Sequence, residues 1–297
     1  MEGSSRARGR RKAKLWQFLT MNSTSGSTGE LILADPRVRG TEVVFWQEHH
    51  YLLTKCHEAR ARLDRGGRHG CFGPVKATEA GGTSGGVAIA TLKHVGHSPP
   101  TTLLNSVLVD GRMVARHIHG FLPGVILVIC VYMPLPRGSA QLRAETVQRL
   151  GAFLARVDRP FVVAGDWNCM PSFVADLGLP ARLQATVVHA AQLTCHTPTV
   201  RGITSRCLDF FLSDVLLPLI RRVDVRDFNA RAHCAVQLTM ASFAAIERVR
   251  VPRCPVSLPQ QRPFGPDLPH TGWEDMPAVL ADSDPSGLRN VGPRRLR

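Results

Sequence analysis

No run of apolar residues in this chain approaches the roughly 20 that a membrane-spanning helix requires. The longest, Val125 to Met133, is less than half of that, so no membrane insertion is expected. No apolar core follows the basic N-terminus, which therefore does not read as a secretory signal. No CxxC pair occurs among the eight cysteines, which are scattered from Cys56 to Cys254. Reduced thiols in a nuclear or cytoplasmic protein, not a secreted one, are the expectation. Cys56, His57, His69 and Cys71 match no standard zinc spacing. Internal repeats are absent. Acidic residues are in short supply, 23 against 37 Lys and Arg, for a net charge of +14. A surface this basic favours a polyanionic partner, nucleic acid before an anionic membrane.

What remains is an ordinary globular composition over 297 residues, enough for one large core. Residues 1–14 include the run RARGRRKAK, too polar and basic to pack, and read as a flexible arm. Residues 244–297 are rich in proline and poor in aliphatic runs, and read as a disordered tail. Between them, 15–243 alternate strand and helix patterns. LWQFLTMN, TEVVFWQE, SGGVAIAT, RMVARHIHGF, GVILVICVYM, FVVAGD, CLDFFLSD, RRVDVRDF and HCAVQLTM are strands by their alternation or continuous burial. Leu52, Leu53, Cys56, Ala59 and Leu63 share one helical face. A second helix starts near Ser139, a good N-cap. Many strands and fewer helices predict one α/β domain.

The chemistry-bearing residues fall where strands end. Asn22 closes the first strand, Gln47-Glu48 the second, and Tyr132-Met133-Pro134 the long apolar one. Asp166 and Asn168 follow Phe161-Val162-Val163-Ala164-Gly165. Asp209 interrupts an apolar strand, and His233 opens the last. A carboxylate within an apolar strand needs a partner, and an acid that holds a histidine is the usual arrangement for acid-base work.

In this order and context the motifs resemble those of the endonuclease/exonuclease/phosphatase superfamily, over roughly Leu15 to Met240. GDWNCMP is similar to its Gly-Asp-aromatic-Asn segment, WQEHH to its Gln-Glu motif, TSGGVAI to its Ser-Gly-Gly strand and VYMP to its Tyr-x-Pro. SRCLDFFLSD is similar to its Asp-Tyr strand, with Phe210 in the tyrosine's place. The resemblance implies a DNase I-like four-layer sandwich, with two β-sheets face to face and helices outside. It implies metal-dependent phosphodiester hydrolysis, with Glu48 and Asn22 holding Mg²⁺ or Mn²⁺. Asp166 and Asn168 would orient the attacking water, Asp209 would orient His233, and Tyr132 would hold the phosphate. One position departs: the acid that precedes the histidine in the family is Ala232 here, with Asp227 the nearest acid upstream.

The net charge of +14 and the basic arm favour a nucleic acid, DNA before RNA; among DNA enzymes, the tryptophan of GDWN, the short chain and the basic balance point to a monomeric nicking endonuclease of the retrotransposon type. No YxDD-like reverse-transcriptase signature is present, so the chain could be a fragment of a retroelement protein. A phosphoinositide or other small-molecule phosphoesterase of the same fold, or an inactive nucleic-acid-binding relic, are the alternatives. Trp273 and its GWEDMP stretch take no part in this scheme.

Overall fold

The computed structural model describes residues 14–77, 83–100, 111–122, 124–135, 140–200, 202–214, 217–229 and 232–242. The basic arm up to residue 13, the cap position Ser139, the C-terminal tail and Trp273 lie outside the described residues. In chain order the first half comprises β1 (Lys14–Asn22), α1 (Gly26–Ala34), β2 (Val43–Gln47), α2 (Leu53–Arg65), β3 (Arg68–Phe72), β4 (Lys76–Ala77), β5 (Thr83–Ser84), β6 (Val87–Leu92), β7 (His97–Ser98), β8 (Met113–His119) and β9 (Val125–Tyr132). The second half comprises α3 (Ala140–Leu154), β10 (Phe161–Asp166), α4 (Pro171–Asp176), α5 (Leu179–Arg182), β11 (Thr186–Val188), β12 (Cys195–Thr199), β13 (Gly202–Arg206), β14 (Asp209–Ser213), β15 (Ile220–Arg226) and β16 (Ala235–Ser242).

Two six-stranded sheets result, in the orders β15-β16-β1-β2-β6-β3 and β11-β14-β10-β9-β8-β7. The central strands of each are buried on both faces, which is why they read as apolar runs. The period of two divides every central strand between two cores. In β1, Trp16 and Phe18 enter the layer between the sheets, while Leu19 and Met21 face outward. In β9, Val128, Cys130 and Tyr132 face inward, and Leu127, Ile129 and Val131 outward. Val162 and Ala164 of β10 do the same against Phe161 and Val163.

The outward faces are covered by helices. Ile32 and Leu33 of α1, with Cys56, Ala59 and Leu63 of α2, cover the first sheet. Leu150, Phe153 and Leu154 of α3, with Val174 and Leu179 of α4 and α5, cover the second. Helix, sheet, sheet, helix is the four-layer α/β sandwich of the DNase I-like fold.

The same parity positions the site. Asn22 continues the inward series of β1, Asp166 that of β10, and Asp209 that of β14, whose Phe211 is inward. Asp166 lies opposite Tyr132 in the parallel pairing with β9 and opposite Asp209 in the antiparallel pairing with β14. The polar residues therefore meet at one end of the layer between the sheets.

Two details of the last motifs differ from the sequence expectation. Asp209 begins its strand rather than interrupting it. His233 precedes β16 and forms an isolated bridge with Cys195.

Candidate active site

Asp166 is buried, and each of its oxygens has a donor. Asn22 Nδ2 donates to Oδ2 at 2.9 Å, and the backbone N–H of Asn168 donates to Oδ1 at 2.9 Å. Asn22 is itself fixed, because its Oδ1 accepts from the Thr24 N–H at 3.0 Å. Asn168 lies at φ 48°, a left-handed conformation that asparagine tolerates better than most residues. Its Nδ2 donates to the Met133 carbonyl at 2.8 Å. The loops after β9 and β10 are thereby tied together.

Arg143 of α3 completes that tie. Its guanidinium donates to the carbonyls of Pro134 (3.1 Å) and Asn168 (3.0 Å) and stacks over Phe173 at 5.5 Å. No motif marked this arginine. Replacing it with alanine is expected to slow catalysis by about 10- to 10²-fold, because small displacements of aligned groups cost that much. Lysine, which cannot fork between two carbonyls, should fall between, as steady-state rates on the two variants would show.

Asp209 and His233 form the pair anticipated from the sequence. His233 Nδ1 donates to Asp209 Oδ2 at 3.0 Å. Nε2 faces Asp166 Oδ2 at 3.9 Å and lies 3.6 Å from the Sγ of Cys195. Thr194 secures the Asp209 segment, its hydroxyl accepting the N–H groups of Leu208 and Asp209 at 2.9 and 3.0 Å. The same segment grips the histidine strand: Cys234 N–H donates to Thr194 O, and His196 N–H to Ala232 O, both at 2.7 Å. Thr194 and Cys195 carried no local signal, since their partners are far away in sequence.

Burial works against the charged imidazole of His233, but the Asp209 carboxylate and its hydrogen bond prevail and raise its pKa well above the usual value. Burial also raises the pKa of Asp166, with the Asp209 charge acting in the same direction and His233, Asn22 and Asn168 opposing it. Tyr132 is raised by burial first and by the neighbouring Glu48 carboxylate next. The Arg112 guanidinium lies 4.7 Å from the centre of the Tyr132 ring.

Glu48 stands at φ 58°, directly after β2. An L-residue there is strained, and the following turn holds it: His49 and His50 N–H donate to the carbonyls of Gly86 and Gly85. Gly86 explains part of the Ser-Gly-Gly motif. At φ 92°, with a Cβ that would meet Val75 Cγ1 at 2.6 Å and the His49 ring at 2.8 Å, the position has no room for a side chain.

Asn22, Tyr132, Asp166, Asn168, Asp209 and His233 thus share one end of the sandwich, and Glu48 adjoins them through Tyr132. Ala232 offers only its carbonyl, already bonded. Asp227 is engaged in a turn, its Oδ1 accepting from Asn229 N–H at 2.7 Å. Phe210 faces the helices, stacked under Trp167 at 5.0 Å and 7° between planes. Trp167 is fully buried, and its Nε1 donates to Phe210 O, so the tryptophan of GDWN is a packing residue.

The residues suit a divalent ion. Among the described residues, one group of potential ligands converges, Asp166, Asp209 and His233, with ligand atoms within 4.8 Å of one another. Asp209 Oδ1 is buried with no hydrogen-bond partner there. Two buried carboxylates against one imidazole leave room for added positive charge, and oxygen donors suit Mg²⁺ or Mn²⁺.

No protein-family model matches this sequence, and no curated protein matches it. Solved structures do. AP endonuclease LMAP from Leishmania major superposes with a TM-score of 0.59 at 15% identity, over 77% of this chain and 88% of that one. The endonuclease domain of TRAS1, a telomere-specific non-LTR retrotransposon, gives 0.56 at 13% identity, over 76% and 98%. D. rerio TDP2, complexed with a single-strand DNA product, gives 0.52 at 14% identity, over 77% and 100%. At these identities the likeness defines the fold, and the chain has the DNase I-like fold of the endonuclease/exonuclease/phosphatase proteins.

Proposed function

We propose that this chain is a metal-dependent phosphodiester hydrolase that nicks DNA. The observation that carries the proposal is the convergence of Asp166, held by Asn22 and Asn168, with the Asp209–His233 pair at one end of the two sheets. The chemistry needs a group to orient water, a group to meet charge on the phosphoryl oxygens, and fixed donors around both.

Asp166 directs the water. Its raised pKa makes it a better proton acceptor than an ordinary carboxylate. His233, held charged by Asp209, presents Nε2 to the phosphate and offsets the charge that grows there. Tyr132, protonated across the physiological range, donates to a non-bridging oxygen. Glu48, beside Asn22, would hold the divalent ion, which would supply Lewis-acid chemistry at a phosphoryl oxygen.

A polymeric substrate is favoured by the net charge of +14 and by the β12–β13 hairpin. The root of this hairpin, Cys195, touches His233, while Val200 and Ile203 beyond it are exposed. Such a projection gives contacts beyond the reacting phosphate, which a small phosphate ester cannot use. The neighbours point the same way, one being an AP endonuclease and another a complex with single-strand DNA product.

Ala232 motivates the second reading, an inactive nucleic-acid-binding protein. Incubation with supercoiled plasmid and Mg²⁺ or Mn²⁺ separates the two. Nicked circles are expected from the native chain and not from Glu48→Ala. Nicking that appears only in Ala232→Asp would mean a decayed site. Nicking by neither, with hydrolysis of a soluble phosphoinositide, would overturn the DNA assignment.

A further inference from the structure

The hydrolytic scheme gives Tyr132 a phosphate to hold but leaves its neighbour Arg112 without a task. The Arg112 guanidinium lies over the Tyr132 ring, 4.7 Å from its centre. Tyr132 is buried, whereas Arg112, in the turn before β8, is only half-buried. Among the described residues, no hydrogen bond or ion pair occupies its N–H groups. We propose that Arg112 grips a second phosphate of a DNA strand, next to the one that Tyr132 holds, and thereby selects a polynucleotide over a lone phosphodiester. This selection rests on the DNA-cleaving function proposed above.

The arginine is held in place. Its carbonyl accepts the Tyr132 N–H at 2.8 Å, and the carbonyl of Gly111 accepts the Gly86 N–H at 3.1 Å. The Gly85-Gly86 turn that fixes His49 and His50, next to Glu48, is thus joined to the turn that carries the arginine. Gly85 makes room for the stack. A Cβ there would meet Gly111 O at 2.9 Å, Tyr132 Cδ1 at 3.6 Å and Arg112 Cζ at 3.8 Å. A group on so fixed a support meets its ligand at little further entropic cost.

Electrostatics indicates what the arginine holds. The Glu48 and Asp166 carboxylates both bear on the Tyr132 hydroxyl, and Asp209 is paired with Asp166 in the next strand. A DNA strand, itself anionic, therefore approaches three carboxylates and one charged imidazole. A cation on the Tyr132 side offsets that field. Arginine fits the task. Its ring contact uses the face of the guanidinium, while the N–H donors lie in the plane and can fork onto phosphate oxygens. A side chain that served only to pack against the ring would need no charge.

The test has two arms. In the first, the full chain binds a short fluorescent DNA duplex in EDTA, without cleavage, over a series of salt concentrations. Arg112→Ala is expected to weaken binding and to reduce the slope of log K against log salt by about 1, as for one lost phosphate contact. Arg112→Lys should keep the slope, since it keeps the charge. Arg112→Gln, which keeps the stem over the ring, takes the place of the alanine variant if that does not fold. In the second arm, kcat/KM with Mg²⁺ is measured on DNA and on bis(p-nitrophenyl) phosphate, a lone diester. Loss of Arg112 should cost about 10-fold more on DNA than on the small diester, chiefly through KM. An unchanged salt slope overturns the contact, and so does a native chain that binds no DNA. An equal fall in kcat on both substrates would show that Arg112 merely steadies Tyr132, and overturns it too. Binding without cleavage by the native chain would refute the hydrolase and leave the slope to decide on Arg112.

Discussion

Asp209→Ala and His233→Ala are each expected to slow metal-dependent cleavage by about 10³-fold, and the double variant to be no slower than His233→Ala alone. The reason is that the two side chains act as one group. Asp209 reaches the substrate only through His233, by the 3.0 Å bond that fixes the ring and keeps it charged. Without the carboxylate, burial, the largest influence on the imidazole, is opposed only by the Cys195 contact and the Asp166 charge, so its pKa falls and the ring loses its main support for the charged form. Without the imidazole, Asp209 is a buried acid with nothing to orient. Single-turnover rates on the three variants test this, and losses that multiply would show that Asp209 has a second role.

The same pair makes a statement about stability. A histidine whose folded pKa is raised stabilises the fold fully below its unfolded value of about 6.5, and this contribution fades as pH rises through the folded value. The stability gap between the native chain and Asp209→Ala should therefore be widest in mild acid and narrow in strong alkali. NMR titration of the metal-free imidazole gives the pKa directly. It should lie above the usual range in the native chain and drop in Asp209→Ala.

The site was legible in the sequence to the extent that it is built from strand ends. A continuous apolar run that stops at a polar residue marks both a buried strand and the place where its last side chain emerges. The period of two then decides which face that side chain takes. Asn22, Tyr132 and Asp166 follow from this reasoning. Other parts leave no such trace. Helix α1 begins Gly-Ser-Thr-Gly, a composition that argues against a helix, and forms because Ser25 caps it and Ile32 and Leu33 are buried. The β12–β13 hairpin carries Pro198 and is exposed over most of its length, so no apolar alternation announces it. Thr194, Cys195 and Arg143 matter through partners that only the folded chain brings near. Trp167 stood out for its motif, yet it serves the core.

Gly165→Ala is expected to be the most damaging glycine-to-alanine change among the described residues. Gly165 lies opposite Val131 in the β9–β10 pairing, and a Cβ there would stand 1.8 Å from the Val131 carbonyl oxygen and 2.8 Å from its carbon. Both are backbone atoms of a central strand, packed on each face, so no side chain can swing aside. Relief requires the two strands to part. A cost of about 3 kcal/mol or more follows, which for a domain of this size is a fall in Tm of roughly 10 °C, or no folded protein at all. Thermal and urea unfolding of the metal-free chain would show it without reference to catalysis. The glycine of GDWN would then be explained by the close approach of two strands rather than by chemistry, although Asp166 is the next residue and moves with it. The outcome also bears on the site itself. Tyr132 and Asp166 are paired in the same register, one residue beyond Val131 and Gly165. A Gly165→Ala protein with unchanged stability would mean that this register is wrong. Tyr132 and Asp166 would then no longer face one phosphate, and the proposed centre would fail with it.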